Sequence, residues 1–244
     1  MPSLCHYDKG QRQAEGRTIL KDLEVGWDAF ERLNALTNAR NKKQQSHKGK
    51  MYLPEKIFIT GNHEHRIDRA TQKDPNLHGV LCMESFKCEK YGWKRIPFLE
   101  PYISDRINFS HYFIKQNSPA PFSGKYAANH LLMQKHSSCV VGHSHLKQYA
   151  EETLPNGRKI FALVTGCFLD PLQWLDYASQ SNRGWWSGVI VMENIIDGYG
   201  EIRFISTSML QEMYGTKAQE EEAQEMRAKA LEQNYPMGVI IVKK

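Results

Sequence analysis

Between Arg17 and about Arg40 the apolar residues Leu20, Leu23, Trp27, Phe30 and Leu33 or Leu36 recur every three to four positions. That spacing predicts an amphipathic helix with one buried face, with Gly26 as a small local penalty. The basic, Gln- and Ser-containing stretch 41–50 reads as an exposed loop, and the apolar run Ile57-Phe58-Ile59-Thr60 as a buried strand. Arg66 to about Asn76 reads as helical or irregular, and Tyr91-Gly92-Trp93 with Ile96-Pro97-Phe98 as a turn bordered by aromatic residues. Ile107 to Phe113 alternates apolar and polar residues at period two, a strand pattern. Tyr126 to Gln134 predicts a short helix with Ala127, Ala128, Leu131 and Leu132 on its apolar face, followed by a strand over Ser138-Cys139-Val140-Val141. The order there is strand, helix, strand.

Further strands are expected over Lys159 to Val164 and Ser187 to Met192, with Glu201 to Ser206 closing a hairpin on the latter across Asp197-Gly198-Tyr199-Gly200. These suggest a second, largely antiparallel sheet. Ala218 to Gln233, rich in Glu, Ala, Lys and Met, is a good helix former but weakly amphipathic and belongs on the surface or in a tail.

A chain of 244 residues with 41% hydrophobic and 24% charged content accommodates one large domain or two small ones with a sizeable core. No apolar stretch approaches the roughly 20 residues a bilayer demands, and the N-terminus has neither a basic nor an apolar leader region, so a cytoplasmic location is expected. Cys5, Cys82, Cys88, Cys139 and Cys167 are scattered without a CxxC pair, which argues against a disulfide framework and a structural zinc site. Cys139 and Cys167, in apolar runs, read as small core residues. The net charge of +5 is modest, but part of it is concentrated in Arg40, Lys42, Lys43, Lys48 and Lys50. This cluster is either a solvated loop or a phosphate-attracting rim.

Two loops carry candidate chemistry. Gly61-Asn62-His63-Glu64-His65-Arg66 and Gly142-His143-Ser144-His145 each follow an apolar strand, so their side chains project from rigid supports. In an extended Gly-His-x-His segment both imidazoles point to one side, and neutral imidazole suits zinc, manganese and iron alike. An Asn-His pair adds an amide oxygen for a metal and an imidazole for proton transfer.

With these loops and the isolated His111 between them, the chain resembles the calcineurin-like metallophosphoesterases, which carry Gly-Asn-His-Glu/Asp, a later isolated histidine and Gly-His-x-His in that order. The resemblance spans roughly Ile57 to Leu146. Gly166-Cys167-Phe168-Leu169-Asp170-Pro171 and Arg183-Gly184-Trp185-Trp186-Ser187-Gly188 are similar to bacteriophage-type members, for which the host cytoplasm is the implied location. The resemblance implies an α/β fold in four layers, a two-sheet β-sandwich flanked by helices, with the phosphoesterase domain over 1–208 and a helical extension over 209–244. It implies two divalent metal ions (manganese, zinc or iron), with Asn62, His111 and His143 on one, His145 on the other, and His63 as general acid. Glu64 is then a carboxylate orienting a ligand histidine and Arg66 a phosphate clamp, each with a surface salt bridge as the plain alternative. His65, His78, His130 and His136 match no ligand position and are read as structural.

The family's two earlier motifs, Asp-x-His and Gly-Asp-x-x-Asp, occur nowhere in this sequence. Met-Pro-Ser-Leu and Tyr7-Asp8-Lys9-Gly10 resemble the segment immediately after the second motif in bacteriophage-type members, so those aspartates and the first strands are expected upstream of Met1. The second metal site is then incomplete, and a separate N-terminal fragment becomes a partner. The leading expectation is a metal-dependent phosphoesterase acting on a phosphomonoester or phosphodiester, nucleotide or nucleic acid. A non-catalytic remnant, or a nucleic-acid-binding module using the 42–50 stretch, stands beside it. Substrate choice resides in segments between Arg66 and Asp105 and between Asp170 and Gly188, and no membrane partner is expected.

Overall fold

The computed structural model describes residues 1–10, 12–169, 181, 183–216, 221 and 225. The chain divides into two compact units, Met1–Glu100 and Pro101–Lys244.

In the first unit, helix α1 (Ile19–Ser46) begins at Thr18, whose side chain accepts the Lys21 N–H at 3.3 Å. The helix continues through most of the stretch expected to be a loop, because Arg40 to Gln45 contains good helix formers and neither Gly nor Pro. It ends before Lys48, at φ 52°, and Gly49. The buried face also differs from the expected one: Leu23, Phe30, Asn34 and Asn41 are buried, while Leu33 and Leu36 are 63% and 85% exposed. Asn34 and Asn41 tolerate burial because their amides are satisfied. The Asn34 amide donates to Tyr91 O at 2.9 Å, and Asn41 donates to Tyr52 O and accepts the Tyr52 N–H at 2.7 and 2.8 Å.

Strand β1 (Ile57–Ile59) leads through the first histidine loop into α2 (Arg66–Lys73). It pairs in parallel with β2 (Lys94–Ile96), a strand lying inside the segment expected to be a turn. The Gly92 turn before β2 has φ 76°, so the aromatic punctuation marks the strand's start instead of replacing it. Phe30 binds this unit together: its ring meets Phe58 edge-on at 5.4 Å and lies 5.7 Å from Tyr91 and 5.5 Å from Trp93. Ile67 of α2 and Leu81, Met83, Phe86 and Cys88 complete the cluster.

The second unit opens with β3 (Tyr102–Ser104) and β4 (Ile107–Ser110), shorter than the expected strand to Phe113. There follow a small hairpin, β5 (Ile114–Lys115) and β6 (Ser118–Pro121), then α3 (Ala127–Lys135) and β7 (Ser138–Val141), the last two close to expectation. Strands β8 (Lys147–Thr153) and β9 (Lys159–Thr165) complete a five-stranded mixed sheet in the order β3-β4-β7-β9-β8. The β4–β7 and β7–β9 pairs are parallel and the two outer pairs antiparallel. β10 (Gly188–Ile196) and β11 (Tyr199–Ser206) form a separate antiparallel hairpin, turned at Asp197-Gly198 with positive φ at both, and α4 (Thr207–Tyr214) follows.

Side chains alternate across the sheet. Cys139, Val141, Ile160, Ala162 and Val164 face α3, where Ala128, Leu131 and Leu132 meet them. Val140, Phe161 and Leu163 face the other way, against Ile190, Met192, Ile202 and Phe204 of the hairpin. The fold is therefore mixed α/β, as expected, but no two-sheet sandwich is evident among the described residues. The physical reason lies in β9: its run Ile160 to Val164 is apolar on both faces, so this strand of the mixed sheet is covered by α3 on one side and by the two-stranded hairpin on the other. Ser138 ties the layers together, its hydroxyl donating to Gly198 O at 2.5 Å and accepting the Phe161 N–H at 3.2 Å.

Of the helix expected over Ala218 to Gln233, Glu221 and Glu225 alone are described, both helical; the rest lies outside the described residues. Among the described residues no helix is long and apolar enough to cross a membrane.

All five cysteines are free. Cys139 is a core residue as expected, joined by Cys88, whereas Cys167 is only partly buried; burial pushes the Cys88 thiol up to about 11 and raises Cys139 and Cys167. Titration with a thiol-specific chromophore at neutral pH is expected to label Cys82 rapidly and Cys88 and Cys139 only after denaturant is added. Rapid labelling of all five in the native protein would contradict this core.

Candidate functional site

Each histidine loop sits at the carboxyl end of a parallel strand. In the first unit the β1–β2 ladder extends one step past the strands, Thr60 N–H donating to Ile96 O at 3.0 Å, before the chain turns at Gly61. His65 N–H closes the turn on Gly61 O at 3.0 Å, and the Glu64 carboxylate accepts the Gly61 N–H at 2.9 Å. Glu64 thus fixes the loop's own backbone. His63 is exposed and Asn62 half-buried. Arg66 donates to Met1 O at 3.0 Å, and His65 lies on Phe98, with ring centroids 4.6 Å apart, and 3.0 Å from the Asp68 carboxylate. Thr60 is buried, and its hydroxyl has no hydrogen-bond partner among the described residues.

In the second unit His111 follows β4 and Gly142 follows β7, and Gly142 N–H donates to His111 O at 3.1 Å, carrying the parallel ladder one residue beyond the strands. This juxtaposition brings His111 Nε2 to 3.2 Å from His143 Nδ1. Tyr112 lies beside both rings, with centroids 5.5 Å from His111 and 4.7 Å from His143. The Ser110 hydroxyl donates to Tyr112 O at 2.9 Å and holds the turn after β4.

The Gly-His-x-His segment is not extended, contrary to expectation. His143 and His145 have φ of 69° and 59°, and Ser144 N–H folds back onto Gly142 O at 2.8 Å. Left-handed backbone at two non-glycine residues costs of order 1–3 kcal/mol each and persists where the surroundings impose it. Here Trp186 N–H donates to His145 O at 3.0 Å and Gly166 N–H to Leu146 O at 2.9 Å, stitching the loop to neighbouring segments. The two imidazoles therefore diverge. His143 joins His111, while the His145 ring meets Trp185 edge-on at 4.2 Å.

The sequence alone assigns no role to Tyr112 or Trp185. Tyr112 directly follows the isolated histidine, and Trp185 lies within the Arg183 to Gly188 segment, so adjacency is the available signal. His130 and His136 belong to α3 and its C-cap, and His78 follows a short helical turn after Pro75.

Burial lowers the His143 and His145 pKa values, the second also through the proximity of His143, so both are held as neutral imidazoles at neutral pH. Neutral imidazole is the ligating form. His145 Nδ1 is buried without a hydrogen-bond partner among the described residues. Two imidazole nitrogens on one ion at about 2.0–2.1 Å lie about 2.8–3.0 Å apart at the octahedral angle and about 3.3–3.4 Å apart at the tetrahedral angle, and the 3.2 Å between His111 and His143, itself a hydrogen-bond distance, lies between the two. The pair fits one divalent ion as two of its donors, and His145 offers a further single donor. Among the described residues no group of three or more His, Cys, Asp or Glu side chains is gathered as a metal site.

Gly166, between β9 and the Trp185–Trp186 segment, has φ 74°, and a Cβ there would stand 2.3 Å from Trp186 O. Gly166→Ala is expected to cost about 2–4 kcal/mol in urea unfolding. A loss under about 1 kcal/mol would show that the segment is not locked there.

No family model matches the chain, and neither a curated protein nor a solved structure matches it.

Proposed function

We propose that the chain is a metal-dependent phosphoesterase. The observation that carries the reading is the His111–His143 pair, two imidazoles 3.2 Å apart at the ends of adjacent parallel strands. His111 and His143 would hold one divalent ion, and His145 would offer a single donor toward a second. When bound, a manganese, zinc or iron ion supplies Lewis-acid polarisation of a phosphoryl oxygen.

The chain's own contribution to hydrolysis is proton handling at His63, which is exposed and so accessible to a substrate. Water adds across the ester: its oxygen bonds to phosphorus, the P–O bond to the leaving group breaks, and His63 as imidazolium gives its proton to the departing oxygen. Water's released proton restores the imidazolium. A correctly placed acid of this kind contributes about 10²–10⁴-fold in rate.

The test is hydrolysis of an aryl phosphate ester by the full chain with and without manganese or zinc, beside elemental analysis of bound metal. Metal-stimulated turnover that falls about 10²–10⁴-fold in His63→Ala, with metal content unchanged, is expected. Failure of every metal to stimulate turnover would refute the enzymatic reading. The alternative, favoured by the absence of a three-donor cluster among the described residues, is a non-catalytic remnant that keeps the His111–His143 pair without a complete metal centre. Metal uptake with no turnover of any ester identifies that case.

A further inference from the structure

The first unit contains a cleft of about 410 Å³ between the N-terminal turns and one face of α2. Arg66, Arg69 and Lys73 line it at positions i, i+3 and i+7 of the helix, and Lys9 and His6 line it from the N-terminal segment. Among the described residues no carboxylate lines it. Three acids near it in the chain have partners outside the lining. Asp8 accepts from Arg17 at 2.5 Å, Asp22 accepts the Ser3 N–H and hydroxyl at 2.8 and 2.6 Å, and Asp68 pairs with His65 at 3.0 Å. Lys9, Arg66, Arg69 and Lys73 form no salt bridge among the described residues.

Four positive charges thus line a concavity that has no carboxylate in its described lining, Asp8 acting electrostatically on Arg66 from outside it, and their mutual repulsion falls when a multiply charged anion enters. Arg66 is held by its bond to Met1 O, and the guanidinium's remaining N–H groups stay available for phosphoryl oxygens. Leu4 and Ala14 contribute apolar lining. The volume lies within the ~300–1,000 Å³ typical of small-molecule sites, and charge on one side with apolar surface beside it suits a ligand that carries adjacent phosphates on an organic body.

We infer that this cleft binds a small organic polyphosphate of the nucleoside di- or triphosphate class, with its phosphates on Lys9, Arg66, Arg69 and Lys73. The site does not depend on the phosphoesterase reading: three of its four cations, Lys9, Arg69 and Lys73, belong to neither histidine loop, and Arg66 is the last residue of the first. A triphosphate carries more negative charge than orthophosphate and can reach more of the four cations at once, so it is expected to bind more tightly.

The experiment is isothermal titration of the full chain with ATP and with inorganic triphosphate, in chelator and about 0.1 M salt, where exposed surface charge is largely screened. Saturable one-site binding is expected, weakened at least tenfold in the double variant Arg69→Glu, Lys73→Glu and unchanged in His63→Ala and His143→Gly. Both α2 residues are exposed, and an unchanged unfolding midpoint confirms that the double variant is folded. Absence of saturable binding, or binding that the charge reversals leave intact, would overturn the site. Loss in the histidine variants instead places the anion at the histidine loops and likewise overturns it. Displacement of ATP by a single-stranded oligonucleotide, with a steep salt dependence of the oligonucleotide's binding, would replace the small-molecule site with a polynucleotide surface.

Discussion

His143→Gly is expected to lower the affinity of the chain for Co²⁺ or Zn²⁺ by more than about 100-fold, because groups that merely orient a ligand already account for about 10–100-fold. Glycine is the informative replacement: it removes the imidazole yet accepts the backbone φ of 69°, where alanine would add strain. His111→Ala should cause a comparable loss, and the double variant little more, since each single change already dismantles the 3.2 Å pair. Absorption of bound Co²⁺ reports directly on imidazole coordination and needs no turnover. His136→Asn supplies the control, retaining the left-handed C-cap of α3 at φ 48° while deleting an imidazole outside the pair. Unchanged Co²⁺ affinity in His143→Gly would eliminate the pair as a metal site.

The second large effect is on stability. Phe161 is 0% exposed at the junction of the sheet and the β10–β11 hairpin, beside Val140 and Leu163 and 6.3 Å from the Tyr199 ring. Phe161→Ala is expected to cost about 3–5 kcal/mol from lost burial and the cavity left behind, lowering Tm by about 6–20 °C for a unit of this size. Leu36→Ala, on the 85% exposed side of α1, should stay within about 0.5 kcal/mol. Thermal unfolding followed by near-ultraviolet circular dichroism distinguishes the two. A Phe161→Ala protein that melts with the wild type would mean that the hairpin does not seal this face.

Elements whose packing coincides with their periodicity were readable from sequence. α3 and β7 emerged nearly to the residue because Ala127, Ala128, Leu131 and Leu132 form one stripe and Ser138 to Val141 is buried throughout. The face of α1 did not, since it is completed by Asn34 and Asn41, whose burial depends on backbone partners 57 and 11 residues away. β8 passed unnoticed because an edge strand reading Lys-Gln-Tyr-Ala-Glu-Glu-Thr buries little beyond Ala150. At the candidate site, the residue types and their order were legible. The divergence of His143 and His145 was not, because the φ values that rotate the rings apart are imposed by bonds from Trp186 and Gly166, distant in sequence.

The sheet order β3-β4-β7-β9-β8 has a kinetic corollary. Its outer pairs, β3–β4 and β8–β9, close over short turns, whereas β4–β7 must wait for the crossover through β5, β6 and α3. Chain-closure entropy therefore favours the flanks forming first and the centre last. His111 and His143 ride on that central, long-range pair, so the imidazoles meet only at the end of folding, and any species arrested with its hairpins formed but its middle open presents the ligands singly.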